Sequence, residues 1–367
     1  MKKMLCLAVC FCLFLNCFCV NALGVSAKAA VVINGDTGEI LYSFNCNERL
    51  PMASTTKIMT ALLLCELGGD LSQEIVATNE MVTVEGSSMG LIAGDTVSYR
   101  DLLYGMMLSS GNDAANTTAI AIGGSIENFV DLMNKRAKEL GLVDTNFVTP
   151  SGLDSEEHYT TAYELALITK AALSNEEFAA AASSESARLC YGNPPYNRTL
   201  TNHNKLLKMY DDVIGVKTGF TKKSGRCLVS ASKNNGKFVI AVTLNDKNDW
   251  EDHRNLLDIG LSLVSSKTFS PSSDVLNLPL VCGGSVSASI PSTSLNVTEN
   301  SSVSFLIQAP PFLYPPIYEG KKIGEISYLL NGTEICSVDI KADAAVQNKT
   351  SKLKLFYQIF INMFSQI

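Results

Sequence analysis

The sequence predicts an α/β domain followed by a small all-β domain. Three observations carry this: β-rich runs stand at both ends of residues 28–265, the stretch between them is helical in pattern, and past residue 267 Ser/Thr-rich segments alternate with short β-like runs. Strands from both ends around a helical middle imply one sheet assembled from the domain's termini, with helices packed on it. A chain of 367 residues has room for two such cores. Apolar residues at 46% and charged residues at 18% exclude a disordered polar chain and a many-span membrane protein. The 29 Lys+Arg and 36 Asp+Glu give a net charge of −7, and no basic block exceeds two consecutive residues. Nucleic acid is therefore excluded as an expected partner, because neutralising phosphates needs a concentrated basic surface.

The order along the chain begins with Lys2 and Lys3 and an apolar run over residues 4–20. Val20-Asn21-Ala22 and Val25-Ser26-Ala27 both offer small residues for cleavage, so residues 1–27 read as a secretory signal peptide. The alternative, a retained anchor helix, needs about 20 apolar residues to span comfortably. Val9 and Asn16 ahead of Cys10 and Cys17 fit a lipoprotein signal poorly. Loss of the leader removes two Lys and no acid, leaving 27 basic against 36 acidic residues, a net −9. The leader also takes five of the 11 Cys; Cys46, Cys65, Cys190, Cys227, Cys282 and Cys336 remain, scattered and without a C-x-x-C pair, so no zinc site is suggested. Export permits disulfides without fixing any pairing, and Cys65, in an apolar run, reads as a buried thiol.

Residues 30–34 and 39–44 read as a hairpin about Gly35-Asp36-Thr37-Gly38. Residues 54–67, 99–107, 114–122, 126–140 and 161–173 read as helices, and 213–217, 227–232 and 238–244 as strands. The all-β domain is placed at 268–347, with runs at 303–308, 322–330 and 334–340 broken by paired prolines. In residues 349–367, apolar Phe356, Tyr357, Phe360, Phe364 and Ile367 oppose a polar stripe of Lys354, Gln358, Asn362 and Gln366. With Lys349 and Lys352 upstream, this fits an amphipathic helix lying on a membrane surface. A helix docked on the β domain, or an oligomer contact, is the other reading.

Gly86-Ser87-Ser88-Met89-Gly90 matches the hydrolase pattern G-x-S-x-G, and His158, His203 and His253 are available as partners. That elbow requires a helix directly after its serine. Gly90, Gly94 and Asp95 favour a loop instead, so Ser88 is not taken as a nucleophile. Ser54 and Lys57 open an apolar helix three residues apart, on one face. A serine attacks only when a neighbouring base takes its proton, and a lysine serves as that base only if burial or a nearby cation keeps it neutral. Ser-x-x-Lys also occurs at Ser230/Lys233 and Ser351/Lys354, so company and order decide. Ser110-Gly111-Asn112 follows at a turn before a helix and Lys217-Thr218-Gly219 on a strand, the trio of the β-lactamases and penicillin-binding proteins. In that setting Ser110 relays a proton to the leaving amine, and Asn112 hydrogen-bonds Lys57 and the substrate amide. Lys217 adds a cation that depresses Lys57 and attracts an anion, Thr218 offers a hydroxyl to a carboxylate, and Gly219 allows close approach of a substrate strand. The backbone N–H groups of Ser54 and Phe220 would form an oxyanion hole.

The similarity extends beyond the trio. Met52-Ala53-Ser54-Thr55-Thr56-Lys57, Ser109-Ser110-Gly111-Asn112-Asp113-Ala114, Gly215-Val216-Lys217-Thr218-Gly219-Phe220-Thr221 and His158-Tyr159-Thr160-Thr161-Ala162 resemble the blocks of the D-alanyl-D-alanine carboxypeptidases. These are the low-molecular-mass penicillin-binding proteins that trim peptidoglycan, and the resemblance covers residues 28–265. It implies a β-lactamase/transpeptidase-like domain with a five-stranded antiparallel sheet and helical subdomain, then a β-rich domain and an amphipathic anchor. It further implies attack by Ser54 on the penultimate D-alanine carbonyl of a pentapeptide stem, release of D-alanine, and hydrolysis of the acyl-enzyme without metal or cofactor. The implied partners are stems ending in D-Ala-D-Ala, β-lactam antibiotics and, through the tail, a membrane surface, on the outer face of a bacterial cytoplasmic membrane or in the cell wall. His158 is expected to order a loop or helix start, His203 and Asn204 to border the cleft without a step, and His253 and Trp250 to pack. Competing readings are a serine β-lactamase, a D,D-endopeptidase on crosslinked stems, and a non-catalytic cell-wall binding protein. The first wants a Glu-x-x-Leu-Asn between Ser110 and Lys217, which is absent; Glu164 belongs to a different block.

Overall fold

The computed structural model describes residues 24–271, 275–281, 283–347 and the pair Ile359 and Ile361. The proposed leader up to residue 23 and nearly all of the proposed tail helix lie outside the described residues. The elements in chain order begin with β1 (Ala29–Asn34), β2 (Ile40–Phe44), a 3-10 turn at Ala53–Thr56, α1 (Lys57–Leu67), β3 (Glu74–Val76), α2 (Asn79–Val82), β4 (Thr96–Ser98), α3 (Tyr99–Met107), α4 (Asn112–Gly123) and α5 (Ile126–Glu139). They continue with α6 (Ala162–Leu173), α7 (Glu176–Ser183), β5 (Ser186–Gly192), β6 (Pro195–Thr201), α8 (Leu206–Met209), β7 (Val213–Thr221), β8 (Gly225–Asn234), β9 (Lys237–Leu244) and α9 (Asp249–Leu263).

The main sheet has the order β2-β1-β9-β8-β7, every pair antiparallel. Burial of both faces explains why β1 and β9 read as nearly continuous apolar runs. Ala29, Val31 and Ile33 of β1 and Ile240, Val242 and Leu244 of β9 join the core shared with α1, α3, α4 and α6, while Ala30, Val32, Val239 and Ala241 pack against Leu256 and Leu257 of α9. Both faces are thus dry, and each large side chain removed from water contributes roughly 2 kcal/mol. Residues 58–64 of α1 are buried on every side, as befits a helix running through the centre of the domain. His253 of α9 is fully buried between Ser230 Oγ and Thr243 Oγ1, pinning the helix to β8 and β9.

The second domain consists of β10 (Ser265–Phe269), β11 (Val275–Pro279), β12 (Ser285–Ser289), β13 (Thr293–Val297), β14 (Val303–Gln308), β15 (Lys322–Leu330) and β16 (Thr333–Lys341). Its own core includes Leu278, Val286, Ile326, Tyr328 and Ile340. Asn34 Nδ2 donates to Asn296 O at 2.8 Å, and Ser301 Oγ to Glu39 at 2.8 Å, joining it to the β1–β2 turn. At the other end of β1, Ser26 N donates to Asp252 Oδ2 at 2.7 Å and Ser26 Oγ to Asp246 Oδ1 at 2.6 Å, and Ala27 is buried. Residues 26 and 27 are therefore built into the folded domain. Cys46, Cys65, Cys190, Cys227 and Cys336 are free thiols, with Cys65 only partly covered rather than fully buried.

Candidate active site

The site lies where the 3-10 turn, the start of α4 and strand β7 meet. Ala53 has φ +48, an uncommon conformation for a residue with a Cβ, and it aims Ser54 out of the turn. The turn is held from behind. Thr56 Oγ1 donates to Ala53 O at 2.7 Å and is itself 2.8 Å from His158 Nε2; His158 Nδ1 accepts from Val148 N at 2.9 Å, so the ring is neutral with its proton on Nε2. Burial pushes the His158 pKa down to about 4. Gly152, at φ +88, presses on the same turn: a Cβ there would fall 2.0 Å from Ala53 O.

Lys57 decides the chemistry. It is fully buried, and its Nζ lies 2.7 Å from Asn112 Oδ1, 2.7 Å from Ser151 O and 3.0 Å from Ser54 Oγ. Asn112 Nδ2 donates to Glu85 O at 2.6 Å, which fixes its oxygen toward the lysine. Both carbonyls can only accept, so an unprotonated amine would spend its two hydrogens on them and turn its lone pair to the Ser54 hydroxyl. Burial first, and then the charge of Lys217, hold the Lys57 pKa well below the ordinary lysine range, against a smaller opposing effect of Asp113. Lys217 is buried as well and is brought down to about 7 by desolvation; its Nζ donates to Thr218 O at 3.0 Å.

Ser110, at φ +57 in the turn before α4, lines the same cleft of about 460 Å³ as Ser54, Ser87, Thr218, Gly219 and Phe220. A Cβ on Gly219 would stand 3.0 Å from Ser54 N and 3.1 Å from Met52 O, so the absence of a side chain here lets the Ser54 turn pack closely on β7. That is a different constraint from the substrate approach read from the sequence. All eight residues proposed from the sequence are thus gathered in one place, with Lys57, Lys217 and Asn112 forming its buried floor.

The decoy resolves as a structural loop. Ser88 Oγ donates to Asp113 Oδ2 at 2.6 Å, and that buried carboxylate also accepts from the backbone N–H groups of Met89, Gly90 and Leu91. Glu164 accepts from Val143 N and Asp144 N at 2.8 and 2.9 Å and lines no part of the cleft. Trp250 corrects the sequence reading: instead of only packing its helix, it lines the cleft beside His203, Arg226, Cys227 and Asp249. The Ser151 carbonyl, Arg226 and Asp249 were missed altogether. A backbone acceptor leaves no mark on residue type, and Arg226 and Asp249 are too far apart in sequence to form a motif.

Residues 17–248 match the family described as D-alanyl-D-alanine carboxypeptidase, peptidase S11. The chain belongs to this family. Among relatives of the serine carboxypeptidase, penicillin-binding type, it is 40% identical over 226 residues to DacF of Bacillus subtilis, covering 60% of this chain and 58% of that protein. It is 32% identical over 345 residues to DacC of Escherichia coli, covering 86% and 83%. The crystal structure of the Streptomyces K15 DD-transpeptidase superposes at a TM-score of 0.63 and 30% identity, over 65% of this chain and 98% of that one. DacD of Francisella tularensis superposes at a TM-score of 0.64 and 26% identity over 89% of this chain, so the family likeness in fold reaches into the β-rich domain.

Proposed function

We infer that this chain is a serine-type D-alanyl-D-alanine carboxypeptidase that acts on peptidoglycan stems and binds penicillin. The observation that carries the reading is the buried Lys57 amine, whose Nζ lies 2.7 Å from both Asn112 Oδ1 and Ser151 O and 3.0 Å from Ser54 Oγ. In the proposed reaction Lys57 takes the Ser54 proton as Oγ attacks the penultimate D-alanine carbonyl. The N–H groups of Ser54 and Phe220 hold the oxyanion. Ser110 passes the proton to the departing D-alanine amine, and water then hydrolyses the acyl-enzyme. Lys217 and Thr218 attract the anionic end of the stem.

The β-lactamase alternative loses support because Glu164 is engaged by backbone donors away from the cleft, and Asp249, the carboxylate that lines it among the described residues, is held by Arg226. Export and attachment to the outer face of the membrane through residues 349–367 remain part of the proposal, on the strength of the amphipathic pattern. The test is incubation of purified protein with a labelled penicillin and, separately, with a pentapeptide ending in D-Ala-D-Ala. An adduct on Ser54 lasting minutes and release of free D-alanine are expected; a folded protein giving neither would overturn the reading.

A further inference from the structure

The second domain exposes a group of aromatic side chains that the reaction above does not use. Along residues 312–318, Pro315 and Ile317 are buried and Phe312 is partly buried, while Tyr314 keeps 50% and Tyr318 69% of its surface exposed. The Phe312 and Tyr314 rings meet edge to face with centroids 5.6 Å apart, so the two hold each other in place. Exposed apolar side chains are ordinary one at a time. A fastened group of rings marks a contact surface.

The place where the chain leaves this domain says what covers them. Ile317 and Val346 form a two-bond bridge, Ile317 N donating to Val346 O at 2.9 Å and Val346 N to Ile317 O at 2.8 Å. Gly320 N donates to Ala342 O, and Ala342 N to Lys321 O, both at 2.9 Å. The aromatic segment is thereby fastened, on either side of Tyr318, to the stretch of chain that leads into residues 348–367. Leu353, where the apolar positions of the proposed surface helix begin, stands seven residues beyond Val346, a reach of at most about 25 Å. A tail lying on a bilayer thus keeps the domain edge that carries Tyr314 and Tyr318 close to the headgroups. Tyrosine fits that layer, with an apolar ring and a hydroxyl that stays wet. Lys321 is exposed in the turn that follows, its N–H donating to Tyr318 O at 3.1 Å, and adds a positive charge that favours anionic lipid.

We propose that Phe312, Tyr314 and Tyr318 sit in the headgroup layer of the membrane, so that the second domain rests on the lipid surface instead of hanging from the tail. This deepens the membrane-attachment reading and rests on it. Two contacts fix an orientation that a single tether leaves free. The bonds from Asn34 to Asn296 and from Ser301 to Glu39 pass that orientation to the catalytic domain.

The experiment uses the intact chain and vesicles of mixed phosphatidylethanolamine and phosphatidylglycerol. Trp250 is the one tryptophan of the sequence and lines the cleft, so Tyr318→Trp adds a second emitter at the proposed contact. With bromine on the acyl chains next to the headgroups, the emission added by Tyr318→Trp is expected to shift to the blue and be quenched on vesicle binding, and the wild-type emission to stay unchanged. Tyr314→Ser combined with Tyr318→Ser is expected to weaken vesicle binding about tenfold, the scale of two rings losing part of their apolar burial. Both rings are exposed, so the melting temperature and D-alanine release from a soluble pentapeptide are expected to match wild type. Vesicle binding without quenching in Tyr318→Trp overturns the proposal and leaves the tail as the anchor, with the rings facing water, the tail or another protein. Wild-type binding by the double variant overturns it equally. Failure of the wild-type chain to bind vesicles overturns membrane attachment itself, and this proposal with it.

Discussion

Lys57 Nζ and Asn112 Oδ1 are 2.7 Å apart, and the amide cannot turn its nitrogen to the lysine without giving up the bond from Nδ2 to Glu85 O. A neutral acceptor in that place leaves the amine free to be neutral; a carboxylate would favour the ammonium form. Asn112→Asp is predicted to raise the Lys57 pKa, because an added negative charge beside Nζ favours the ammonium. Acylation requires the unprotonated amine, so its rate climbs as pH rises through that pKa. In the variant the climb is displaced to higher pH, and at neutral pH the labelled-penicillin rate drops at least about tenfold. A pH profile of acylation that coincides with wild type would remove Lys57 as the base.

Lys217 supplies the opposite limb. Its pKa of about 7 means that the free enzyme loses this cation as pH rises past neutrality, and with it the attraction for an anionic ligand. Wild-type kcat/KM is expected to fall on the alkaline side of about 7. Lys217→Arg, charged throughout, is predicted to lose that alkaline decline while its overall rate is lower. Kinetics from pH 5 to 10 check it.

Ser54→Ala and Ser88→Ala separate nucleophile from decoy. The first is predicted to abolish covalent labelling by penicillin with the melting temperature preserved. The second frees one bond to Asp113 and is predicted to destabilise residues 86–91 by about 1 kcal/mol while still forming the adduct. Intact-mass measurement after penicillin treatment reads both.

Gly152→Ala tests the support behind the nucleophile. The added methyl would lie 2.0 Å from Ala53 O at a φ of +88, so the turn must shift. A loss of about 2 kcal/mol in stability and more than about tenfold in acylation is expected, measured by thermal unfolding and labelled penicillin.

The end of the proposed leader follows from Ser26. Its backbone and hydroxyl bonds to Asp252 and Asp246 survive only if cleavage precedes it. Of the two sites read in the sequence, the one after Ala22 is predicted, giving a mature chain that starts at Leu23. Mass spectrometry of the exported protein decides, and a chain starting at Lys28 would refute this.

Much of the catalytic domain is legible in its sequence for a physical reason. Strands β1 and β9 are covered on both faces and so carry long apolar runs, and the Ser54, Ser110 and Lys217 blocks are local arrangements whose chemistry dictates residue type. The hairpin of β5 and β6 escapes notice because it is largely exposed and interrupted by Pro194 and Pro195. Strands β10 and β13 escape because Ser and Thr occupy their outward positions. In the site, the missing pieces are a backbone carbonyl at Ser151 and partners brought together from distant segments, such as Thr56 with His158 and Arg226 with Asp249. Neither kind imposes a spacing that can be read along the chain.

Strand β7 ends the five-stranded order, and its outer side faces the cleft instead of a sixth strand. An unpaired border of this kind is what unfolded neighbours add to when proteins aggregate. The enzyme cannot cover it permanently without shutting out its ligand, so protection falls to the narrowness of the slot between the nucleophile turn and the aromatic wall of Phe220 and Trp250. Variants that widen this slot are for that reason expected to suffer in solubility as well as in turnover.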